Sequence, residues 1–187
     1  MRQDEITLYT GRPEAGEGRV PEELRCYDFL DGLGVPYARA DHPAADTIEV
    51  CHTVETVLGA PICKNLFLCN RQKTDFYLLL LEGDKLFKTK YLSQQLGCSR
   101  LSFAAPEDME ALLDTRPGSA SVLGLINDQE NRVRLVIDKP LLSWERIGCH
   151  PCRNTSTLAL SMGDLLERVL PGLGRTYTLV DLPEEKL

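Results

Sequence analysis

Two apolar segments joined by a short polar connection constrain the fold of this chain more than any other feature. Leu66-Phe67-Leu68 and the run from Phe76 to Leu81 are short and rich in residues that favour strands. The connection from Asn70 to Thr74 is polar, which predicts that the two segments form a β-hairpin. Because Leu78 to Leu81 is continuous rather than alternating, we expect the second strand to be covered on both faces.

The composition is that of a soluble globular protein with one domain. The chain has 187 residues, of which 43% are hydrophobic and 26% are charged, so it can bury a substantial core. The longest apolar run is far too short to cross a bilayer, and the first residues lack the apolar stretch of a signal peptide. We therefore expect a cytoplasmic protein without a membrane partner.

The remaining elements are predicted from caps, breakers and apolar periodicity. Residues 1–20 lack periodicity and predict a flexible N-terminal arm, followed by one domain over residues 21–187. Helices are predicted from Pro21 to Gly34, from the N-cap Thr47 to Gly59, and over Tyr91–Leu96, Pro106–Leu113 and Met162–Leu170. Further strands are predicted over Val35–Ala40, Val133–Ile137, Thr155–Leu160 and Tyr177–Leu182. Because strands occur both in a hairpin and separated by helices, the predicted class is α+β with a mixed sheet.

Seven cysteines are scattered along the chain, and only Cys149 and Cys152 have the C-x-x-C spacing of zinc or redox sites. A structural zinc site needs a second pair of ligands, and the sequence has no other C-x-x-C and no H-x-x-x-H. We therefore predict free thiols and no metal.

Three polar clusters interrupt the apolar elements: Lys64-Asn65, the small-residue loop from Gly118 to Gly124, and the segment from His150 to Thr155. Each alone has an ordinary explanation, since a lysine can extend to water, a glycine loop can be a plain turn, and a histidine can be structural. Lys64 and Asn65 stand just before a buried strand, where a cation and an amide are held at fixed positions. The combination is what indicates a site.

The charge is unevenly distributed. The net charge of −7 argues against wide, unspecific binding of nucleic acid. Residues 51–103 and 132–153 nevertheless carry an excess of Lys and Arg, whereas the first fifty residues are acidic. A basic rim on an acidic body is compatible with binding one end of an RNA.

These clusters resemble the motifs of the YbaK-type aminoacyl-tRNA editing family, which includes the editing domain associated with prolyl-tRNA synthetase. The resemblance covers nearly the whole chain after residue 20. The matching segments, in the family's order and spacing, are Tyr37–Pro43 with Thr47, Lys64–Leu68, Pro117–Asp128, and His150-Pro151 with Asn154-Thr155. One departure is Val122, where the family's glycine loop usually has a proline.

The resemblance implies a mixed, curved β-sheet flanked by helices and a free-standing deacylase of Ala-tRNA(Pro). It implies that Lys64 and His150 are catalytic, that Asn65, Gly118, Ser119 and Gly124 bind substrate, and that no cofactor is needed. It also implies the tRNA acceptor end as partner, with prolyl-tRNA synthetase as a second candidate.

Three alternatives remain at this level. The preferred aminoacyl group can be cysteine or serine, because the sequence hides the size of the pocket. The chain can be a non-catalytic module that binds tRNA or a synthetase. Cys51-His52 or Cys63 can belong to a Cys/His hydrolase, since thiolates are good nucleophiles.

Overall fold

The computed structural model describes residues 5–14, 18–45 and 47–184. In these residues, nine strands form two sheets that pack against helices. The strands are β1 (Thr7–Thr10), β2 (Ala38–Asp41), β3 (Cys63–Asn70), β4 (Phe76–Glu82), β5 (Leu101–Phe103), β6 (Val133–Asp138), β7 (Arg146–Cys149), β8 (Ser156–Ser161) and β9 (Tyr177–Val180). The α+β class and the single domain are confirmed, with the strands divided between two sheets.

Four α-helices of eight residues or more lie between the strands: α1 (Pro21–Gly32), α2 (Ile48–Leu58), α3 (Thr89–Leu96) and α4 (Pro106–Leu113). The Thr47 side chain caps α2 by accepting a hydrogen bond from the backbone N–H of Val50, as its sequence position predicted. The last helical segment combines α5 (Met162–Asp164), a π-helical turn (Leu165–Val169) and α6 (Leu170–Gly172). It continues through Pro171 to Gly172, beyond the end at Leu170 that the sequence predicted, and the π-helical turn directly precedes the proline.

The four-stranded sheet is antiparallel, in the order β1-β2-β8-β7. Its edge strand β1 lies within the segment expected to be a flexible arm, and Thr7 to Thr10 pair with Asp41 to Ala38. The prediction of a loose arm is therefore corrected for these residues, whose backbone finds its partners in β2. Residues 1–4 and 15–17 of that arm lie outside the described residues, and the domain boundary at residue 20 stays a prediction.

The five-stranded sheet is mixed, in the order β5-β3-β4-β6-β9. The predicted hairpin is confirmed: β3 and β4 pair antiparallel, with Leu66 opposite Leu79. β6 and β9 add to β4 in parallel. The sequence did not predict β5 and β7, because β5 has only three residues and β7 contains a glycine and an arginine.

Both faces of β4, the middle strand of the five-stranded sheet, are buried, as its continuous apolar run predicted. Leu78 and Leu80 face the main core, which also receives residues from α1 and from the four-stranded sheet. Leu79 and Leu81 face a second cluster that includes Leu92 of α3. The two sheets meet where Ile62 forms a bridge with Gly148, and this junction lies beside the start of β3. In the described ranges, no helix is long and apolar enough to cross a membrane.

Candidate active site

Four of the six residues predicted to form a site line one cavity at the junction of the two sheets. The cavity has a volume of about 160 Å³. Its lining residues are Ala45, Cys51, Ile62, Cys63, Lys64, Asn65, Gly118, Ala120, Cys149 and His150. Segments that are far apart in sequence therefore converge on a small space, as the three polar clusters suggested.

Lys64 and Asn65 are the second and third residues of β3, so their side chains lie on opposite faces of the strand. Lys64 shares its face with Leu66 and Leu68 of the second core cluster, and its Nζ donates a hydrogen bond to the carbonyl oxygen of Lys85 at 3.0 Å. Partial burial lowers the pKa of the Lys64 ammonium from 10.5, and the nearby carboxylate of Asp84 opposes that change. The lysine is thus a fixed cation at the wall of the cavity.

The amide of Asn65 is oriented by its neighbour. Its Nδ2 donates to the carbonyl oxygen of Cys63 at 3.1 Å and lies 3.4 Å from the Cys63 Sγ. This leaves Oδ1 buried and without a hydrogen-bond partner among the described residues. A buried, unsatisfied acceptor is costly, and at a cavity wall it offers a position for a donor from a ligand.

The glycine loop reaches the cavity through Gly118 and Ala120. Gly118 has a φ of 83°, a left-handed conformation that favours glycine. Ser119 is buried, is not among the lining residues, and uses its backbone N–H in a turn, where it donates to the Arg116 carbonyl oxygen at 2.8 Å. The Ser119 backbone N–H is therefore already occupied, and no contact with the cavity supports the predicted part of Ser119 in substrate binding.

Val122 begins a 3₁₀-helix, Val122–Ile126, instead of leaving the loop open. The Ser121 side chain caps this helix by accepting from the Leu123 backbone N–H at 3.2 Å, and Val122 is fully buried. The cap from Ser121 and the buried side chain of Val122 therefore fix the loop at the position where the family usually has a proline.

Gly124 lies inside that 3₁₀-helix and is not among the residues that line the cavity. A Cβ at this position would stand 3.2 Å from both the Cβ and the carbonyl oxygen of Leu113, at the end of α4. The close approach of two backbones explains the glycine, and no contact with the cavity supports its predicted part in substrate binding.

His150 belongs to a hydrogen-bonded network that fixes both histidines of this region. Its Nδ1–H donates to the Ser156 carbonyl oxygen at 2.9 Å and lies 3.2 Å from the Thr157 Oγ1. The Nδ1–H of His42 donates to the Pro43 carbonyl oxygen at 2.8 Å, so its Nε2 accepts from the Thr157 hydroxyl at 2.8 Å. The two rings lie 6.3 Å apart. His150 therefore keeps the lone pair on Nε2, which has no partner among the described residues.

Burial keeps both imidazoles neutral at pH 7. It lowers the pKa of His150 from 6.5 to about 4, against the opposing effect of the hydrogen bond to Ser156, and His42 lowers it further. Burial also lowers the pKa of His42. A neutral His150 is a hydrogen-bond acceptor at the cavity, and only a small fraction of its rings is protonated at neutral pH.

His42 does not line the cavity, but it shares the Thr157 hydroxyl with His150, a contact that was not predicted from the sequence. The signal was available, since His42-Pro43 repeats the dipeptide His150-Pro151 and lies in a segment that resembles the family. The two histidines meet because β2 pairs with β8, which places Ala40 opposite Thr157.

The thiols at the cavity are not activated. Burial raises the pKa of Cys63 to about 12 and raises that of Cys51. His52 does not serve Cys51, because its Nδ1 pairs with Glu55 at 2.7 Å and its Nε2 with Asp84 at 3.3 Å. These thiols remain protonated at neutral pH, which argues against the Cys/His hydrolase alternative.

The cysteines and histidines do not form a metal-binding group. The seven cysteines are free thiols. Within the part of the chain that the structure describes, no group of three or more His, Cys, Asp or Glu side chains is arranged to hold a metal ion.

The sequence that contains this cavity matches a known domain. The sequence model of the aminoacyl-tRNA editing domain family matches residues 42–167. This range is more than half of the chain, and it contains Lys64, Gly118 and His150. The chain belongs to the aminoacyl-tRNA editing domain family.

Individual relatives agree with this membership. The chain is 31% identical over 153 residues to the prolyl-tRNA editing protein ProX of Acetoanaerobium sticklandii, covering 82% of this chain and 93% of that protein. It is 30% identical over 168 residues to the prolyl-tRNA synthetase associated domain-containing protein 1 of Danio rerio. That match covers 87% of this chain and 91% of the Danio rerio protein.

A solved structure provisionally assigned as a trans-editing enzyme for prolyl-tRNA synthetase superposes with a TM-score of 0.66. The superposition covers 89% of this chain and 99% of that one, at 18% identity. At this identity the likeness concerns the fold.

Proposed function

We propose that this chain is a hydrolase that cleaves the ester of a wrongly charged tRNA, with Ala-tRNA(Pro) as the substrate. The observation that carries the proposal is the convergence of Lys64, Asn65, Gly118 and His150 on one small cavity. The relatives support it, since one is described as a prolyl-tRNA editing protein.

Discrimination by size in two successive sites supports alanine as the amino acid. A synthetase pocket shaped for proline cannot exclude alanine by size, and the missing contacts give only about 10- to 200-fold selectivity. A second, smaller site can hydrolyse the error after transfer. In such a sieve the smaller aminoacyl group enters the second site and the larger ring is excluded, and we place that site at the cavity lined by Lys64 and His150.

Lys64 and Asn65 would hold the two ends of the substrate. The Lys64 ammonium would bind a phosphate or ribose oxygen of the terminal adenosine and would stabilise the negative charge that develops on the ester. The buried Asn65 Oδ1, which lacks a donor among the described residues, would accept a hydrogen bond from the α-ammonium of the aminoacyl group.

His150 would orient the attacking water. With a pKa of about 4 it is a weak base, so its contribution is to accept a hydrogen bond on Nε2 from the water or from the free ribose hydroxyl. The hydrogen bonds from Nδ1–H to Ser156 and Thr157 hold the ring in the tautomer that this role needs. The aminoacyl ester is already reactive, and the mechanism requires no protein nucleophile.

The deciding experiment uses tRNA(Pro) charged separately with alanine, cysteine, serine and proline. We expect the protein to release alanine fastest and to leave the proline ester intact. Faster release of cysteine or serine would move the assignment to another editing substrate. Binding of every tRNA without release of any amino acid would identify a non-catalytic module instead. A pull-down with prolyl-tRNA synthetase would test the second candidate partner.

A further inference from the structure

A second polar surface lies on the five-stranded sheet, at the end of β3 opposite the cavity. Two adjoining cavities of about 780 and 430 Å³ share Thr89 and Arg100 and form one open groove. We call it the Phe103 groove. Its lining residues are Cys69, Asn70, Arg71, Lys73, Thr89, Lys90, Ser93, Arg100, Leu101, Ser102, Phe103 and Ala105.

The groove presents an aromatic ring to solvent. Phe103 is 61% exposed, the largest fraction among the exposed large hydrophobic residues of the described chain. The Phe87 ring supports it from the side, with ring centroids 6.2 Å apart and an interplanar angle of 72°. An exposed ring that is held in place by another ring is a platform on which a flat group can stack.

The groove is also electropositive on a chain whose net charge is −7. Arg71, Lys90 and Arg100 are exposed, and none has an ion pair or hydrogen bond to another described residue. Lys73 is neutralised by Asp108 at 2.7 Å. The residues that line the two cavities include no carboxylate. Unpaired cations beside an exposed ring are the features that bind single-stranded nucleic acid.

Strand register connects the groove to the cavity. Phe103 lies opposite Leu68, and side chains of directly opposed residues share a face. Lys64 lies on that same face, four residues before Leu68, which is about 13 Å along the strand. The second core cluster covers Leu68 on that face, so a single strand of RNA that ends at Lys64 would pass over the outer surface of this cluster to reach Phe103.

We propose that the Phe103 groove binds the single-stranded 3′ segment of a transfer RNA, upstream of its terminal adenosine. A base stacks on Phe103, and the backbone phosphates lie near Arg71, Lys90 and Arg100. The segment must be single-stranded, because stacking on a side chain requires a base that is free of its helix. This inference rests on the proposed function, and it adds the surface that recognises the polynucleotide.

The test compares two substrates of different length. Phe103→Ala should raise the KM for alanyl-tRNA(Pro) about tenfold with kcat unchanged, since one base stack is lost. The same variant should hydrolyse 3′-alanyl-adenosine like the wild type, because that substrate reaches only the cavity. Leu179→Ala, another exposed apolar residue on β9 at the far edge of the same sheet, is the matched control and should leave both substrates unaffected.

A second measurement does not depend on hydrolysis. Binding of uncharged tRNA(Pro) should weaken in Arg71→Ala/Arg100→Ala, and the slope of log K against log salt should decrease by about 1.4, as expected for two lost contacts to single-stranded phosphates. Lys139→Ala, an exposed lysine outside the groove, should keep the wild-type slope.

The outcomes separate the two proposals. Wild-type KM and wild-type salt slope in the groove variants, with active protein, would overturn the groove and leave the editing function standing. Loss of binding to prolyl-tRNA synthetase with intact tRNA binding would also overturn it, in favour of a protein partner. An inactive wild type that still binds tRNA through Phe103 would overturn the editing function alone.

Discussion

The Nδ1–H of His150 donates to the Ser156 carbonyl oxygen at 2.9 Å, and a carbonyl oxygen can only accept. This bond fixes the tautomer of the buried ring, so that the lone pair lies on Nε2. Burial then makes protonation of Nε2 unfavourable, because the resulting charge would lie in a poorly solvated site. One hydrogen bond and its surroundings thus define a neutral acceptor at the cavity.

The pH dependence of stability should report this buried histidine. The pKa of His150 is about 4 in the folded protein and 6.5 unperturbed, so the unfolded state binds more protons between these values. The contribution to stability is complete above pH 6.5 and is lost as the pH falls towards 4. Its size is on the order of 3 kcal/mol. Denaturant unfolding of the wild type and of His150→Gln between pH 4 and 7 should show a weaker pH dependence in the variant.

The pH profile of deacylation provides the matching control on activity. Since His150 stays neutral at this pH, kcat/KM should not fall because of a titration of His150 near pH 6.5. A limb of the profile centred near that value, present in the wild type and absent in His150→Gln, would mean that the ring titrates normally and would contradict the burial argument.

Thr157 should position His150 without contacting the substrate. Its hydroxyl donates to the His42 Nε2 at 2.8 Å and lies 3.2 Å from the His150 Nδ1. Thr157→Val keeps the shape but leaves His42 without its donor, so we expect kcat to fall about tenfold while KM is preserved and stability drops by about 1–3 kcal/mol. Steady-state kinetics and chemical unfolding would measure both effects.

Thr115→Val is the matched control for that variant. Thr115 is equally buried, and its Oγ1 has no hydrogen-bond partner among the described residues. Its replacement should therefore leave kcat at the wild-type value. An equal loss of kcat in both variants would show that the Thr157 effect comes from packing and not from the histidine network.

The parts of the site that sequence predicts are those where strand ends and distinctive side chains coincide. Lys64 and Asn65 directly precede an apolar run, and His150 directly precedes Pro151. Such positions restrict where the side chain can point. The convergence of these segments with Gly118 depends on the junction of two sheets, where Ile62 before β3 bridges to Gly148 of β7, and the sequence did not predict that division.

The parts that sequence missed depend on packing between distant segments. Gly124 and Ser119 lie in the same loop as Gly118, yet one packs on Leu113 and the other closes a turn with Arg116. Nothing in a run of small residues distinguishes these three environments. β1 was missed for a similar reason, because four residues with exposed side chains become a strand only when β2 supplies the backbone partners.

Lys64→Ala should abolish deacylation while the fold is retained. The ammonium is proposed to stabilise charge that develops in the transition state, and the loss of one such group costs about 10²- to 10³-fold in kcat. The side chain is half-buried and makes a single hydrogen bond, so the free energy of unfolding should change by about 1 kcal/mol or less.

Lys139→Ala is the control for charge, since Lys139 is 63% exposed and does not line the cavity. It should retain wild-type turnover. Wild-type turnover in Lys64→Ala itself would remove the lysine from the mechanism.

Gly124→Ala should act on stability and not on substrate binding. The added methyl group would stand 3.2 Å from the Leu113 Cβ and carbonyl oxygen, so α4 must shift slightly, at a cost of about 1–3 kcal/mol. Gly32→Ala, at the end of α1, meets nothing within 4 Å and should be neutral or mildly stabilising. Thermal unfolding would compare the two. A raised KM for alanyl-tRNA in Gly124→Ala, with unchanged stability, would restore the substrate-binding role predicted from sequence.

The buried ion pair between Lys85 and Asp138 should be the most sensitive electrostatic contact outside the cavity. The Lys85 Nζ lies 2.6 Å from the Asp138 Oδ2, and the side chains are 2% and 0% exposed. Asp138 also accepts from the backbone N–H of Leu182 at 2.9 Å. Lys85→Met should lower the free energy of unfolding by about 3–5 kcal/mol, because it leaves a buried carboxylate without its cation.

The double variant Lys85→Met/Asp138→Asn should recover much of that loss. The neutral amide removes the uncompensated charge, and its Oδ1 can still accept from Leu182. The Lys85 carbonyl oxygen, which accepts from Lys64, is backbone and survives both substitutions. The folded protein should therefore retain the wild-type kcat. Equal destabilisation in the single and double variants, measured by urea unfolding, would mean that the loss comes from packing and not from the unpaired charge.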